Sequence, residues 1–295
     1  MRPGGKDEPS FVTDALSNRY RETEFMLNLK ADYALGKGRW HLMGGYEIQH
    51  LSYKTFEGTQ AEAIDSSGRP TTAPNGTSLL ARDFEQGLVF GLKGGWISLL
   101  QLALIYDTRD FEPDPTRGVY VEVSDEFSNP IIGSEYRFNK VFIQGRFYKK
   151  LPIGKRTVFA GRFGVGNIFG NEAPFFEFQD QWSPDGSINA LGGKQSLRGF
   201  RANRFLARSL WFTNIEIRAR IAEKKFGRQR FAFALAPFFD AGTVRNNWQN
   251  LNFNHIKTSV GAGLRIAWNQ STMLSLDYGI SKEDRLLYFG IGQVF

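Results

Sequence analysis

The stretch SVGAGLRIAW-NQS-TMLSLDYGIS, residues 259–281, shows the pattern that decides the fold of this chain. In each half, apolar residues alternate with residues that are small, polar or charged. Because a β-strand points successive side chains to opposite faces, each half predicts one strand with an apolar face and a polar face. The residues between them, Asn269, Gln270 and Ser271, predict a tight turn.

The same alternation recurs along the chain and predicts eleven strands, over 24–34, 39–51, 98–107, 118–124, 139–151, 156–166, 210–221, 230–242, 259–268, 272–281 and 286–295. Most runs approach the length of a tilted membrane-spanning strand, whereas strands of globular proteins average about 5 or 6 residues. The second face carries Arg, Glu, Asp and Gly, which suits a hydrated interior better than the apolar middle of a β-sandwich. We therefore expect an all-β fold, a transmembrane antiparallel β-barrel.

The connections between these strands alternate between short and long. Residues 36–38, 152–155 and 269–271 predict short turns of the periplasmic kind, and 57–83, 167–207 and 244–257 predict extracellular loops. If Phe295 ends in the periplasm, parity makes the link 108–117 periplasmic as well. Residues 84–96 then belong to an outer loop, although their pattern is partly strand-like. Because bacterial barrels have even strand numbers, either this doubtful twelfth strand closes the barrel or strands are missing at the N-terminus.

The composition excludes other classes of membrane and nucleic-acid-binding protein. The mean hydropathy is −0.34, and no run of about 18 apolar residues occurs, which excludes a helical membrane protein. The net charge of +7 comes from Lys and Arg scattered through the alternating segments, which argues against binding to nucleic acid. The chain contains no Cys, as suits passage through an oxidising periplasm. No signal peptide is visible, and we expect a polar N-terminal segment, 1–22, before a barrel domain, 23–295.

No set of residues predicts catalysis. His41, His50 and His255 lie far apart in the sequence, without metal-ligand spacing. No nucleophile elbow, phosphate-binding loop or dinucleotide-binding fingerprint occurs. We therefore expect no enzyme activity, no cofactor and no metal site.

Four short motifs occur in the C-terminal two thirds of the chain. They are Tyr106-Asp107-Thr108-Arg109-Asp110 with Pro115 and Gly118, Ser196-Leu197-Arg198-Gly199-Phe200, Phe238-Phe239-Asp240-Ala241-Gly242, and Phe289-x-Ile291-Gly292-x-x-Phe295. In this order they resemble the BamA/TamA superfamily of outer-membrane insertases and translocators, also called the bacterial surface antigen family. The resemblance covers roughly residues 98–295. It implies a family barrel of roughly sixteen strands, of which about 11–12 are visible here.

The resemblance implies that the loop carrying Arg198, Gly199 and Phe200 folds back into the barrel. Arg198 would pair there with Asp240, on the strand that also holds Gly242. The residues themselves permit this, because Asp240 lies on the polar face of its strand and an arginine can hold a carboxylate with two hydrogen bonds. Glu216, one strand earlier, also faces inward. The alternative is an Arg198 that stays solvated in its loop.

The other two motifs have structural roles in the family. Asp107, Arg109, Asp110, Pro115 and Gly118 would form a periplasmic turn between adjacent strands. The C-terminal residues would be a sorting signal for barrel assembly, or ordinary lipid-facing residues on one face of the last strand; they are Phe289, Ile291, Gly292 and Phe295. Nothing in the chain resembles a periplasmic POTRA domain, so the chain is expected to be a C-terminal fragment or a relative without POTRA domains.

The first hypothesis for function is therefore a barrel in the outer membrane of a Gram-negative bacterium that assists protein insertion or translocation. Its partners would be outer-membrane lipid and lipopolysaccharide, unfolded outer-membrane protein clients and accessory lipoproteins, and no nucleic acid. A passive pore or structural barrel without insertase activity is the second hypothesis. A surface-exposed binding module that uses 57–96 and 167–207 is the third.

Overall fold

The computed structural model describes residues 20–36, 38–55, 60–64, 70–74, 79–87, 89–269 and 272–295. The strands in chain order are β1 (Tyr20–Leu35), β2 (Trp40–Thr55), β3 (Gln60–Ile64), β4 (Pro70–Pro74), β5 (Gly95–Asp107), β6 (Gly118–Ser128), β7 (Phe138–Leu151), β8 (Thr157–Phe169), β9 (Asp180–Gln181), β10 (Ile188–Asn189), β11 (Ser209–Phe226), β12 (Gln229–Arg245), β13 (Lys257–Trp268), β14 (Thr272–Ile280) and β15 (Arg285–Ile291). One α-helix, α1 (Leu79–Glu85), and short 3-10 helices at Pro130–Ile132, Phe175–Phe178 and Trp248–Asn250 complete the described elements.

Eleven strands form a single antiparallel sheet in the order β1-β2-β5-β6-β7-β8-β11-β12-β13-β14-β15. Each strand of this sheet pairs with the next along the chain, as in an up-and-down barrel. Each of the eleven predicted segments overlaps one of these strands, so the expected all-β architecture is confirmed. Among the described residues, β1 and β15 are the two edges of the sheet. The short strands form two separate ribbons, β3 with β4 and β9 with β10.

Among the described residues of 84–96, none before Gly95 is in a strand, so the possible twelfth strand is wrong and the segment belongs to the β2–β5 loop, as parity predicts. The helix α1 ends within this segment, and β5 begins only at Gly95. Three glycines before β5 have positive φ angles, at Gly87 (68°), Gly91 (81°) and Gly94 (77°). Such angles lie outside the β region, so the backbone cannot continue a strand ladder through these residues.

The two faces of the sheet have apolar side chains exposed and polar side chains buried, the reverse of a soluble protein. On β5, Leu100, Leu102 and Leu104 expose 40%, 48% and 43% of their area, whereas Gln101 between them is 0% exposed. Apolar side chains therefore cover the convex outer wall, and polar side chains are enclosed on the concave side. Lipid in place of water outside the wall accounts for this distribution.

The two ends of the sheet differ in their connections. One end, the turn end, carries the connections β1–β2, β5–β6, β7–β8, β11–β12 and β13–β14. The other end, the loop end, carries β2–β5, β6–β7, β8–β11, β12–β13 and β14–β15. Lys37, Gln270 and Ser271, parts of two predicted turns, lie outside the described residues, as do residues 1–19 of the predicted N-terminal segment.

The loop between β8 and β11, residues 170–208, fills the concave side of the sheet. Its residues Leu191, Leu197 and Phe200 are buried against Phe142 and Phe212 of the wall. Nearer its start, Phe175 and Phe176 pack in a second buried cluster with Leu51, Ile97, Leu99 and Phe138. In the described part of the chain, no helix is both long and apolar enough to cross a membrane.

The outer wall yields a prediction about depth in the membrane. Leu264, at the centre of β13, lies in register between Leu235 and Leu276, and replacing it by Arg should reduce the free energy of unfolding by about 2–4 kcal/mol. The matched control is Val260→Arg, on the same face but close to the loop end, where the cost should be about 0–1 kcal/mol. Urea unfolding of the protein in lipid vesicles measures both. Equal costs would contradict a wall that faces lipid.

Candidate functional site: a buried arginine cluster

The loop residues 190–205 form a tight structure that holds Arg198 in the interior. Leu191 bridges to Phe205, and Gly193 bridges to Leu197. The Ser196 hydroxyl donates to the carbonyl of Ala190 at 2.7 Å and accepts from the N–H of Gly192 at 3.0 Å. Because these hydrogen bonds lie within the loop, the loop itself fixes the backbone on which Arg198 lies.

Arg198 holds Asp240 of β12 with two parallel side-chain hydrogen bonds. Its Nε lies 2.8 Å from Oδ2 of Asp240, and its Nη2 lies 2.8 Å from Oδ1. The backbone N–H of Arg198 also donates to Oδ2, at 3.1 Å. Both side chains are fully buried. A bidentate, charge-assisted pair is among the strongest polar contacts available to side chains, and it fixes the orientation of both partners.

Two more arginines and two more carboxylates surround this pair. Arg198 also donates to Glu216 of β11, and its Nη1 lies 3.3 Å from Asp277 of β14. Arg218 binds Glu216 at 2.9 Å, and Arg265 binds Asp277 at 2.8 Å. Three positive and three negative groups, contributed by four strands and the loop, therefore cancel one another. Buried charges need this mutual compensation because the desolvation of each is costly. We call these six residues the arginine cluster.

Aromatic and amide side chains complete the environment of Arg198. The ring of Phe238 lies under its guanidinium, 3.4 Å from Cζ to the ring centroid. A side chain at Gly261 would place Cβ 2.3 Å from that ring, so glycine leaves the space that Phe238 occupies. Asn214 donates to Asp240 at 2.8 Å and to the carbonyl of Ser196 at 2.9 Å. The cluster is thus enclosed on its apolar side and hydrogen-bonded on its polar side.

Gly199 and Gly279 let the loop cross β14 with direct backbone contact. Gly199 has a φ angle of 85°, and a Cβ on it would lie 3.0 Å from the backbone of Ile280. A Cβ on Gly279 would lie 2.6 Å from the N atom of Gly199. In the next part of the wall, a Cβ on Gly242 would lie 2.6 Å from Leu191 of the loop. Glycine is therefore required both in the loop and in the wall strands β12 and β14 that contact it.

The last two strands also hold the loop through side-chain hydrogen bonds. The hydroxyl of Tyr288, on β15, accepts from the N–H of Gly199 at 3.0 Å and donates to the carbonyl of Phe200 at 2.7 Å. Ser281 donates to the carbonyl of Gly199 at 2.7 Å, and Lys194 donates to Ser275 at 2.9 Å. The loop is therefore attached to the β14–β15 hairpin as well as to the middle of the wall.

A second ionic contact anchors the start of the loop. Lys140 of β7 lies 2.9 Å from Glu126 of β6, 2.9 Å from Glu177 of the loop and 3.2 Å from Asp180. Glu177 also accepts a hydrogen bond from Gln49 of β2, at 3.1 Å. The loop therefore has charged attachments on both sides of the concave surface.

The β5–β6 connection is a structured turn at the turn end. Asp107 accepts from the Nη2 of Arg109 at 2.7 Å, and Asp110 accepts from the N–H of Thr116 at 2.8 Å. Burial alone would raise the pKa of Asp110, but hydrogen bonds from Thr116 and Arg117 outweigh it and lower that pKa. Gly118 has a φ angle of 110°, and a Cβ there would lie 2.3 Å from the carbonyl of Thr108. Pro115 is buried beneath the turn.

The C-terminal residues do not share one face, which corrects the prediction for Phe295. Phe289 and Ile291 expose 70% and 77% of their area on the outer wall, but Phe295 is only 5% exposed. The strand ends at Ile291, and Gly292, with a φ angle of 91°, turns the chain inward. The carbonyl of Phe295 then accepts from Arg218 at 2.8 Å. One residue with positive φ breaks the two-residue period on which the prediction relied.

Comparison with known proteins gives the family. Residues 10–295 match the Omp85 superfamily domain. The chain belongs to the Omp85 superfamily. It is 25% identical, over 215 residues, to a SAM50-like protein of Drosophila melanogaster, a match that covers 67% of this chain and 45% of the relative.

A solved structure matches the fold of this Omp85-superfamily chain. BamA from Haemophilus ducreyi lacking POTRA domains 1–3 matches with a TM-score of 0.58 at 16% identity, over 92% of this chain and 54% of the BamA chain. The chain therefore spans about half the length of each relative. The expected relationship to the BamA/TamA superfamily, and with it an outer-membrane β-barrel fold, is confirmed.

The structure of this Omp85-superfamily chain brings together residues that the motifs and the strand alternation predict separately. Arg198, Asp240 and Glu216 meet in the arginine cluster, while the β5–β6 turn and the outward-facing Phe289 and Ile291 lie elsewhere. Sequence analysis missed Asp277, Arg218 and Arg265, although all three lie on the polar side of alternating strands. It also missed Tyr288 and Lys140, for which the inward face of the strand was the only signal. Within the described ranges, no group of three or more His, Cys, Asp or Glu is placed to hold a metal ion.

The charge balance of the cluster predicts non-additive substitutions. Arg198→Ala leaves three buried carboxylates facing two arginines and should cost about 3–5 kcal/mol of unfolding free energy. Asp240→Ala should also be costly, because it leaves three buried arginines facing two carboxylates. The double variant removes one charge of each sign and should cost less than the sum of the two single variants. Urea unfolding of the four proteins measures this coupling, and simple additivity would contradict the compensated cluster.

The glycine crossing predicts a local opening of the loop. Gly279→Ala should push Gly199 away from β14, because the new Cβ would lie 2.6 Å from its N atom. Gly145→Ala is the matched control, a strand glycine whose Cβ would meet nothing within 4 Å. Limited proteolysis with mass spectrometry should find faster cleavage within 170–208 for Gly279→Ala alone. Equal protection in both variants would show that the loop does not depend on this crossing.

Proposed function

We propose that this chain is the membrane-spanning part of a barrel that assists protein insertion into, or translocation across, the outer membrane of a Gram-negative bacterium. The observation that carries the proposal is the attachment of one interior loop to the β14–β15 hairpin through Tyr288, Ser281 and the Gly199–Gly279 crossing. A barrel that only conducts solutes has no need for a loop that fills its interior and is bound to its last strands.

The position of β15 at an edge of the described sheet supports the same proposal. An edge strand offers free backbone N–H and C=O groups, and a client strand can add to it by main-chain hydrogen bonds. Gly290 is part of β15, and a Cβ on it would lie 1.9 Å from the Nζ of Lys194 in the loop. The interior loop therefore reaches the strand on which a client would assemble. The clients would be unfolded outer-membrane proteins, and accessory lipoproteins would be further partners.

The sorting-signal and turn residues have complementary roles in this proposal. Phe289 and Ile291 would present an apolar surface to the assembly machinery and to lipid. The turn built by Asp107, Arg109 and Asp110 would hold the periplasmic side of the wall. The lack of cysteine throughout the chain fits the oxidising periplasm that such a protein crosses.

Reconstitution tests the activity directly. The full chain is placed in phospholipid vesicles, a urea-unfolded eight-stranded outer-membrane protein is added, and its folding is followed by its shift in electrophoretic mobility. We expect folding several times faster than in protein-free vesicles. Tyr288→Phe, which removes both hydrogen bonds to the loop, should reduce the acceleration, whereas Tyr278→Phe on the outer wall should not. No acceleration by the folded wild-type chain would overturn the proposal.

Conductance in planar bilayers addresses the passive-pore alternative. Because the loop 170–208 and the C-terminal residues occupy the interior, we expect low and irregular conductance. A large, steady conductance, together with no acceleration of folding, would assign the chain to the passive pores.

A further inference from the structure

The β11–β12 hairpin extends beyond its neighbours at the turn end. Pairing of β11 with β8 stops at Ala219, opposite Thr157, and pairing of β12 with β13 starts at Phe231, opposite Trp268. The two strands of the hairpin continue to pair with each other as far as Phe226 and Gln229. Residues 220–230 therefore form a projecting tip, which we call the hairpin tip; its two ends, Arg220 and Arg230, are still hydrogen-bonded to Arg156 and Asn269 of the neighbouring turns.

Besides Arg220, the hairpin tip carries four cations that form no salt bridge within the described part of the chain. Lys224, Lys225, Arg228 and Arg230 are all exposed. The one carboxylate of the tip, Glu223, lies 2.8 Å from Arg220 and is occupied by that pair. The nearby Asp114 is likewise held by Arg156 at 2.9 Å and by Arg220 at 3.4 Å.

Two of these cations face each other across the hairpin. Lys225 and Arg230 are directly opposite in the strand register, on the concave side of the hairpin. Like charges in such a pair destabilise a hairpin, whereas opposite charges stabilise it. An anion bound between the two side chains would remove this repulsion. The arrangement therefore favours a negatively charged ligand at the tip.

The surface around the tip is also basic. The N–H of Arg220 donates to the carbonyl of Arg156 at 2.9 Å, so the β7–β8 turn lies beside the base of the hairpin tip. That turn and the end of β7 add Lys149, Lys150 and Lys155, which are exposed. The positive surface thus continues across neighbouring hairpins, as suits a layer of headgroups better than a single small anion.

Aromatic rings place the hairpin tip at the membrane surface. The ring of Phe226 lies 5.9 Å from that of Phe231, which stacks at 5.9 Å on Trp268. Lys224 is opposite Phe231 in register and therefore shares the outer, lipid-facing side of the hairpin. Aromatic side chains concentrate where a barrel wall passes from hydrocarbon to headgroups. A lysine on that side can place its stem along the apolar surface and its charge among the headgroups.

We propose that the hairpin tip binds the headgroups of anionic phospholipids in the leaflet at the turn end. Lys224 contacts phosphate groups from the outer wall beside Phe226, Arg228 contacts them from the turn, and Lys225 and Arg230 contact them from the other side of the projecting ribbon. Lipid is the occupant that the position selects, because Lys224 and Phe226 lie on the outer side of the tip, which continues the wall that is in contact with the bilayer. The proposal requires the membrane barrel alone and does not depend on assembly activity.

Lipid titration of the purified, folded chain tests the proposal. Native mass spectrometry compares binding of phosphatidylglycerol with binding of phosphatidylcholine that has the same acyl chains. We expect a preference for phosphatidylglycerol that decreases as ionic strength rises. In the variant K224Q/K225Q/R228Q/R230Q the preference should fall, by about fivefold for each cation that contacts a headgroup.

A charge-matched variant controls for non-specific attraction. K54Q/R137Q/K282Q/R285Q removes the same number of exposed cations from the loop end and should retain the preference for phosphatidylglycerol. Equal loss in both variants, or no preference in the wild-type chain, would overturn the proposal. An acidic protein as the natural occupant would produce the second of these results.

Melting temperatures distinguish a loss of lipid binding from a loss of folding. K225Q/R230Q removes the opposed cations and should melt at the same or a higher temperature than the wild type in a zwitterionic detergent. Added phosphatidylglycerol should raise the melting temperature of the wild type and leave that of K225Q/R230Q nearly unchanged. An equal rise in both proteins would place the lipid elsewhere.

Discussion

The buried pair of Arg198 and Asp240 is the constraint on which the interior of this barrel depends. An arginine enclosed without compensation would be too costly to bury, so the loop can enter only because the wall supplies carboxylates where Arg198 arrives. Those carboxylates in turn need Arg218 and Arg265 beside them. The loop and four strands are therefore mutually required, and the cluster makes the position of the loop specific. The arginine cluster contributes less to the net free energy of folding than to this specificity, because the desolvation of its charges offsets much of their attraction.

Glycine has a different role on each side of this interior. Gly199 allows a left-handed backbone and close contact, whereas Gly279 and Gly261 act through the side chain they lack, one accommodating the loop and the other the ring of Phe238. In a soluble sheet, glycines within strands weaken it. Here they are the points at which a strand receives another part of the molecule. The glycine content of the inward faces thus reflects packing of the loop as well as turn formation.

Much of the fold could be predicted because alternation is a local property. Each of the eleven long strands has its own apolar and polar faces, so none required knowledge of its neighbours. The segment 84–96 was ambiguous because its apolar residues are separated by glycines whose φ angles the sequence does not reveal. Phe295 was misplaced for the same reason, since the strand ends at Ile291 and Gly292 turns the chain inward. In both cases a single backbone angle outweighed a regular pattern.

The site was only partly accessible to the same reasoning. Motifs named Arg198 and Asp240, and alternation placed Glu216 inward, but the meeting of Arg218, Arg265 and Asp277 depends on register across four strands. Tyr288 carries no motif, and its hydroxyl matters only because the loop backbone passes within reach. Contacts between segments distant in sequence are set by the register and curvature of the whole sheet, and no local window contains that information.

The inward course of the last four residues has a practical consequence for protein engineering. The main chain at Phe295 points towards Arg218, in a space bordered by Tyr148 and Val158. A purification tag or fluorescent protein fused after Phe295 would have to turn back through this crowded region and compete for a guanidinium that already serves Glu216. Insertion into an exposed connection at the loop end leaves that region untouched and is the better place for a label.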